Sequence, residues 1–157
     1  MKHTLSVLVE NKPGVLARVA ELFSRRGFNI DSLAVGPTER PGFSRITIVV
    51  DVAEHSLEQV RKQLHKLINV VEINDLVPER SVERELMMVK VSVNESSRGE
   101  LIQITDIFRG KIVDVGRNAC IVEITGPAQK LEAFEEMVRK FGIKELVRTG
   151  KVALQRS

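Results

Sequence analysis

The chain has 157 residues, 43% hydrophobic and 29% charged, and carries a net charge of +3. That balance belongs to a folded globular protein of one large domain or two small ones, and its 24 basic residues are mixed with 21 acidic ones rather than clustered, which argues against a nucleic-acid footprint. The single cysteine, Cys120, excludes an intramolecular disulfide, no apolar run approaches the ~20 residues of a membrane helix, and a strand begins too near Met1 to leave room for a signal peptide; together these predict a cytoplasmic protein.

The apolar pattern then sets the elements in chain order. Residues 4–9 alternate as a strand with Leu5, Val7 and Val9 on one face. A helix follows over 13–26, opened by Pro13, striped by Val15, Val19 and Leu22 with Leu16, Ala20 and Phe23, and stopped by Gly27. Phe28 to Gly36 reads as a strand whose apolar phase shifts between Ile30 and Leu33, the mark of a bulge. After a turn-rich loop from Pro37 to Gly42, Phe43 to Val50 is a third strand. Leu57, Val60, Leu64, Leu67 and Ile68 mark a second helix, and Val70 to Leu76 a fourth strand. The order is β-α-β-β-α-β.

Beyond the polar stretch Pro78-Glu79-Arg80-Ser81 the same order returns. Leu86 to Val93 is a strand, Leu101, Ile104 and Phe108 stripe a helix that stops at Gly110, and Ile112 to Val115 and Ala119 to Thr125 form a hairpin around Gly116-Arg117-Asn118. Pro127 opens a helix with Leu131, Phe134 and Val138 facing inward, and Ile143 to Val147 is the last strand. The expectation is an α+β chain of two ferredoxin-like βαββαβ units, residues 1–77 and 78–157, each with helices on one face of a four-stranded antiparallel sheet. Units this small leave a sheet face and two edges poorly covered, which predicts pairing with another copy and pockets where copies meet.

The segment Val9-Glu10-Asn11-Lys12-Pro13-Gly14-Val15-Leu16 carries the strongest chemical signal. A strand runs out into a turn and a helix start, which leaves backbone N–H groups of Gly14, Val15 and Leu16 free for an anion such as a carboxylate. Asn11 fits equally a simple helix cap. Asn29, in the second strand, is either a satisfied structural amide or a group that both accepts from an ammonium and donates to a carboxylate. His3, His55 and His65 have no metal-ligand spacing, Cys120 alternates with core residues, and no triad, carboxylate pair, phosphate loop or cofactor fingerprint is visible. Only Phe43 is aromatic near the third strand, too little for a base-stacking platform.

On these residues the first unit resembles the ACT domain, a ferredoxin-like module that binds small amino acids at a dimer interface. Leu5 to Val19 with Leu22-Phe23-Ser24-Arg25-Arg26-Gly27-Phe28-Asn29-Ile30, and in the second unit Arg84-Glu85-Leu86, Val89-Lys90-Val91, Phe108-Arg109-Gly110-Lys111-Ile112-Val113-Asp114-Val115 and Thr125-Gly126, are similar to the small regulatory subunits of acetohydroxyacid (acetolactate) synthase. The resemblance covers nearly the whole chain. It implies a homodimer through ACT domains with no catalytic site of its own, which activates a large catalytic subunit and confers valine feedback in branched-chain amino-acid biosynthesis. Thiamine diphosphate, FAD and Mg²⁺ belong to that partner and none to this chain. It further implies that Asn11, Gly14, Val15 and Leu16 of one protomer hold the amino-acid head group while Asn29 and Ile30 of the other complete the pocket, with neither nucleic acid nor membrane involved. The alternative is a stand-alone ACT-type amino-acid sensor or regulator, for which no helix-turn-helix is visible.

Overall fold

The structure, a computed structural model, describes residues 1–157. It divides into two compact units, one formed by Met1–Val82 with Lys151–Ser157 and the other by Glu83–Gly150.

In the first unit, β1 (Lys2–Glu10) is an interior strand, buried on both faces from Thr4 to Val9. It pairs antiparallel with β3 (Phe43–Asp51) and with β4 (Val70–Leu76), while β2 (Ile30–Pro37) flanks β3, giving the order β2-β3-β1-β4. One face places Leu5, Val7 and Val9 of β1 beside Ile46, Ile48 and Val50 of β3. Two helices cover that face, α1 (Val15–Arg25) through Val15, Val19 and Phe23, and α2 (Glu54–His65) through Leu57, Val60 and Leu64. The i, i+4, i+8 spacing in α1 is what aligns its buried side chains. Gly27 ends α1 with φ +70°; its amide donates to the Ser24 carbonyl and the Phe28 amide to that of Phe23, the paired bonds of a Schellman stop. The phase shift in β2 is present as a register shift between Ile30 and Ser32.

Several boundaries differ from the sequence reading, each for a local reason. Pro13 is not the first helical residue: Gly14 is the N-cap, at φ +85°, so α1 starts at Val15. Helix α2 begins at Glu54 and ends at His65, which leaves Ile68 outside it and 88% exposed. The second sheet face of this unit is also less open than expected, since Thr4, Ser6, Leu8, Thr47 and Val49 are all buried. Lys151 and Val152 contribute to that closure. The Lys151 amide donates to Ser32 Oγ at 2.8 Å, and Val152 shares a small cavity with Arg45 and Thr47.

The second unit repeats the plan. Strand β5 (Ser81–Ser92) pairs with β7 (Ala119–Gly126) and β8 (Ile143–Arg148), and β6 (Lys111–Val115) flanks β7. Its core joins Met87, Val89 and Val91 to Cys120, Val122 and Ile124, under Leu101 and Ile104 of α3 (Arg98–Ile107) and Leu131, Phe134 and Val138 of α4 (Ala128–Val138). Phe108 meets Phe134 edge to face, with ring centroids 5.4 Å apart and planes at 78°. Glu85 and Arg148 form a two-pronged pair at 3.0 and 3.2 Å. The open face carries Met88, Ile121 and Val147 in a shallow hollow. A ninth strand, β9 (Val152–Gln155), which the sequence reading does not predict, belongs to the first unit; it pairs with β5, whose first residues Ser81 and Val82 also lie there, and next to it the Arg156 amide donates to the Arg80 carbonyl.

Phe134 is completely buried at the centre of the second core. Phe134→Ala is therefore expected to destabilise that unit by about 3–5 kcal/mol. Urea unfolding followed by far-UV circular dichroism checks it, and a loss below about 1 kcal/mol would contradict the packing described.

Candidate functional site

The connection from β1 to α1 is built by backbone geometry rather than by a side-chain cap. The Asn11 amide donates to the Gly42 carbonyl at 2.8 Å, which ties the loop to the β2–β3 turn. The Lys12 amide turns back to the Glu10 carbonyl, and Gly14 then takes a left-handed conformation that few side chains tolerate. The first α-helical bond runs from the Arg18 amide to the Gly14 carbonyl at 3.1 Å. No side chain caps the helix, and its first turn has no acidic residue. The amides of Gly14, Leu16 and Ala17 find no acceptor in the chain, while that of Val15 leans on the Lys12 carbonyl at 3.3 Å. The free donors are therefore shifted one residue from the expected set, with Ala17 in place of Val15.

Side chains around this loop reinforce it. Lys12 Nζ lies 3.0 Å from Glu10 Oε2, and this hydrogen bond and charge hold the Glu10 carboxyl below its ordinary value. Asn69 links the loop to the turn before β4, since its carbonyl accepts from the Glu10 amide at 2.9 Å and its side-chain oxygen accepts from Arg18 Nη1 at 3.0 Å. Glu10, Lys12, Arg18 and Asn69 had no role in the sequence reading. Asn69 lies 51 residues from Arg18, and no local pattern announces that contact.

The six expected site residues separate into two groups. Asn11, Gly14 and Leu16 are exposed around the helix start, whereas the Val15 side chain is buried in the core and lines no surface. Asn29 and Ile30 lie elsewhere. Asn29 is exposed and precedes β2 instead of sitting inside a strand as a buried amide, because the helix stop at Gly27–Phe28 delays the strand to Ile30. Ile30 is half-buried against the core and pairs with Val50, at the end of β3 that faces the start of β1; Glu10 pairs with Phe43 at the other end. Seven strand steps, roughly 24 Å, therefore separate the two groups within one chain. They do not form one pocket in a single copy.

What the helix start can do is bind an anion weakly and directionally. An uncapped first turn carries about half a positive charge, and Arg18 adds to the local potential, whereas the charge of Lys12 is offset by Glu10. The geometry suits a carboxylate, with Leu16 as an apolar neighbour. No group of three or more His, Cys, Asp or Glu residues is placed to hold a metal ion, and Cys120 is fully buried in the second core. No helix is long and apolar enough to cross a membrane.

Comparison with known proteins agrees along the whole chain. Residues 5–72 match the family described as "AHAS small subunit-like ACT domain", and residues 84–157 match "Small subunit of acetolactate synthase". A probable acetolactate synthase small subunit of Archaeoglobus fulgidus is 56% identical over 156 residues, which are 99% of this chain and 98% of that protein. The acetolactate synthase small subunit of Mycolicibacterium smegmatis is 52% identical over 154 residues, covering 98% of this chain and 91% of its own. Among solved structures, the acetolactate synthase small subunit of Thermotoga maritima superposes with a TM-score of 0.93 at 46% identity, covering 100% of this chain and 98% of its own. With matching sequence, matching fold and matching length, the chain belongs to the family of acetolactate synthase small subunits.

Proposed function

We propose that this chain is the regulatory subunit of an acetolactate synthase: it binds a large catalytic subunit, raises its activity, and carries the binding site for an amino-acid feedback inhibitor, valine. The single observation that supports this reading is the uncapped start of α1, with free amides at Gly14, Leu16 and Ala17 in a chain of this family. The effector carboxylate sits on those amides, and its aliphatic side chain lies along Leu16. Asn11 is placed beside the head group.

The separation of the two residue groups gives the proposal its form. Asn29 and Ile30 reach the effector only from a second copy, so the functional unit is a homodimer through the ACT units with each site shared. Valine then acts through linkage. It inhibits only insofar as it binds one pairing of the two copies more tightly than another, and the catalytic subunit must favour the opposite pairing. Thiamine diphosphate, FAD and Mg²⁺ belong, in this reading, to the catalytic subunit, and the assembly works in the cytoplasm.

The decisive experiment mixes the chain with its catalytic subunit and follows pyruvate condensation with and without valine. Activation without valine sensitivity would remove the effector assignment, and no activation would leave a stand-alone amino-acid sensor. Valine at about 100 times its dissociation constant should also stabilise the chain by about 2.7 kcal/mol per site, read as a shift in the thermal midpoint.

Gly14→Asp tests the anion site directly. A Cβ at Gly14 meets nothing within 4 Å, so the variant costs only the left-handed backbone strain, about 1–2 kcal/mol at most. Its carboxylate repels that of the ligand, so valine affinity should fall at least tenfold by calorimetry. Gly14→Asn, equally strained and uncharged, should lose much less. Equal affinities for the two variants would refute the anion site.

The Lys12–Glu10 clamp gives a pH signature. Because the folded carboxyl is held below the ordinary glutamate value of about 4.3, its contribution is complete above that value. It is lost as pH falls through the depressed folded value. The amide NMR shifts of Lys12 and Gly14 should titrate with a midpoint below the ordinary glutamate range, and a midpoint within or above that range would show that the clamp is absent.

A further inference from the structure

Strand β2 follows directly on Asn29, so the half of the expected site that stands apart from the helix start is carried by the first residues of an edge strand. Those residues are set by a bulge. Ile30 pairs with Val50 and Ser32 with Val49, so two steps along β2 match one step along β3, and Asp31 is the extra residue. Without the extra residue Ile30 and Ser32 would share a face of the sheet. With it, Ile30 packs against the core beside Val50, while Ser32 stands with Val49 on the opposite face. A slip that erased the bulge would turn Ile30 out of the core and carry Asn29 with it.

An edge strand has a ladder on one side only, so the bulge depends on its side-chain ties. There are two. Asp31 Oδ2 lies 3.1 Å from Lys2 Nζ, but that lysine is exposed and solvent screens the pair. Ser32 Oγ accepts the Lys151 amide at 2.8 Å, in a half-buried position. The donor comes from 119 positions further along the chain and opens a segment, Lys151–Ser157, that belongs to this same unit. The segment is a strap over the sheet face on which Ser32 stands. Ala153 is buried, Val152 shares a cavity with Ala34 and Thr47, and β9 runs beside β4. The Arg156 amide fastens its far end to the Arg80 carbonyl. The strap therefore reaches both edge strands, and its hydrogen bond to β2 falls at the bulge.

We propose that Ser32 is a positioning residue for the effector site: by accepting the Lys151 amide it keeps the bulge of β2 in register, and so fixes the direction in which Asn29 and Ile30 meet the amino acid held at the helix start of the other copy. This rests on the shared-site reading above. Ser32 touches no ligand. It supplies register, and the strap supplies the donor that makes the register hold. One neutral hydrogen bond adds little to the stability of the whole unit, so its loss leaves the fold standing and is felt where the backbone has only one other tie.

The test reads valine response and strand register in the full chain. Ser32→Ala removes the acceptor, Lys151→Pro removes the donor, and Ser32→Thr keeps the hydroxyl. In pyruvate condensation with the catalytic subunit, each variant's activity without valine is its own reference. The valine concentration for half-inhibition should rise about three- to tenfold for Ser32→Ala and for Lys151→Pro, the factor expected for one neutral hydrogen bond. The double variant should rise no further than the worse single one, because both remove the same bond. Ser32→Thr should respond as the wild type does. Without valine, the amide NMR shifts of Asn29 to Asp31 should move in Ser32→Ala while those of Leu5 to Val9 stay in place. Half-inhibition of Ser32→Ala at the wild-type concentration, losses that multiply in the double variant, or shifts spread through β1 would each overturn the positioning role. If valine does not inhibit with the wild-type chain, it is the shared-site reading that falls; the NMR comparison then decides separately whether Ser32 holds the bulge, and unmoved Asn29 to Asp31 amides would show that it does not.

Discussion

The position of β1 constrains everything else in the amino-terminal unit. The strand is hydrogen-bonded along both edges, to β3 and β4, and is buried on both faces from Thr4 to Val9, with Leu5, Val7 and Val9 on one face and Thr4, Ser6 and Leu8 on the other. Its register with β3 and β4 fixes where it ends. Once Glu10 is opposite Phe43, the next residue has left the ladder, and the chain must turn over the edge of the core to place α1 on the helical face. The turn is made by Gly14 at positive φ, with no side chain available to cap the helix that follows. The exposed amides are therefore a consequence of how this strand hands over to this helix. The site has chemistry because the fold leaves donors unmet there, and the Glu10–Lys12 pair and Asn69 hold the loop still enough for those donors to keep one direction.

Much of this was legible in the sequence because it is local. The stripe Val15, Val19, Phe23, the stop at Gly27, the bulge in β2 and the two repeats of the β-α-β-β-α-β order all follow from spacing within a dozen residues. What failed was non-local or uncapped. Helix α2 starts after Ala53, which offers no side-chain cap, and the apolar spacing runs on through Leu67 and Ile68, so neither end carries a signal. Strand β9 is four residues long, too short for periodicity to reveal, and its partner lies some seventy positions earlier in the sequence. Asn29 was assigned to a strand because an apolar run surrounds it; the pair of hydrogen bonds closing α1 uses up Phe28 and leaves Asn29 in the open.

The candidate site was half legible for the same reason. Gly14 and Leu16 lie where the turn chemistry puts them, and Gly14 has the conformation that only its own residue type adopts cheaply. The Val15 side chain is committed to the core, which periodicity alone had already indicated by placing it on the buried stripe. The supporting contacts of Arg18 and Asn69 join residues 51 apart and could be seen only once β4 was in place beside β1.

The distance between the two groups of site residues has a mechanistic meaning. A pocket built wholly within one chain binds its ligand whatever the chain's partners do, and occupancy then carries no information about assembly. Here the helix start lies at one end of the sheet and Asn29–Ile30 at the other, with most of β3 between them. The proposed site made of both groups requires a particular pairing of two copies, and in that proposal ligand affinity and pairing geometry are linked. A small two-layer unit is well suited to this. It has too little interior to enclose an amino acid alone, and its edge strands β2 and β4 have unpaired backbone groups that another copy could meet. In the proposed dimer, the free energy available for regulation is bounded by the difference in ligand affinity between pairings. In that proposal an effector touched only by the helix start has no contact that distinguishes one pairing from another, so it is the residues at the far end of the sheet, Asn29 and Ile30, on which the coupling rests.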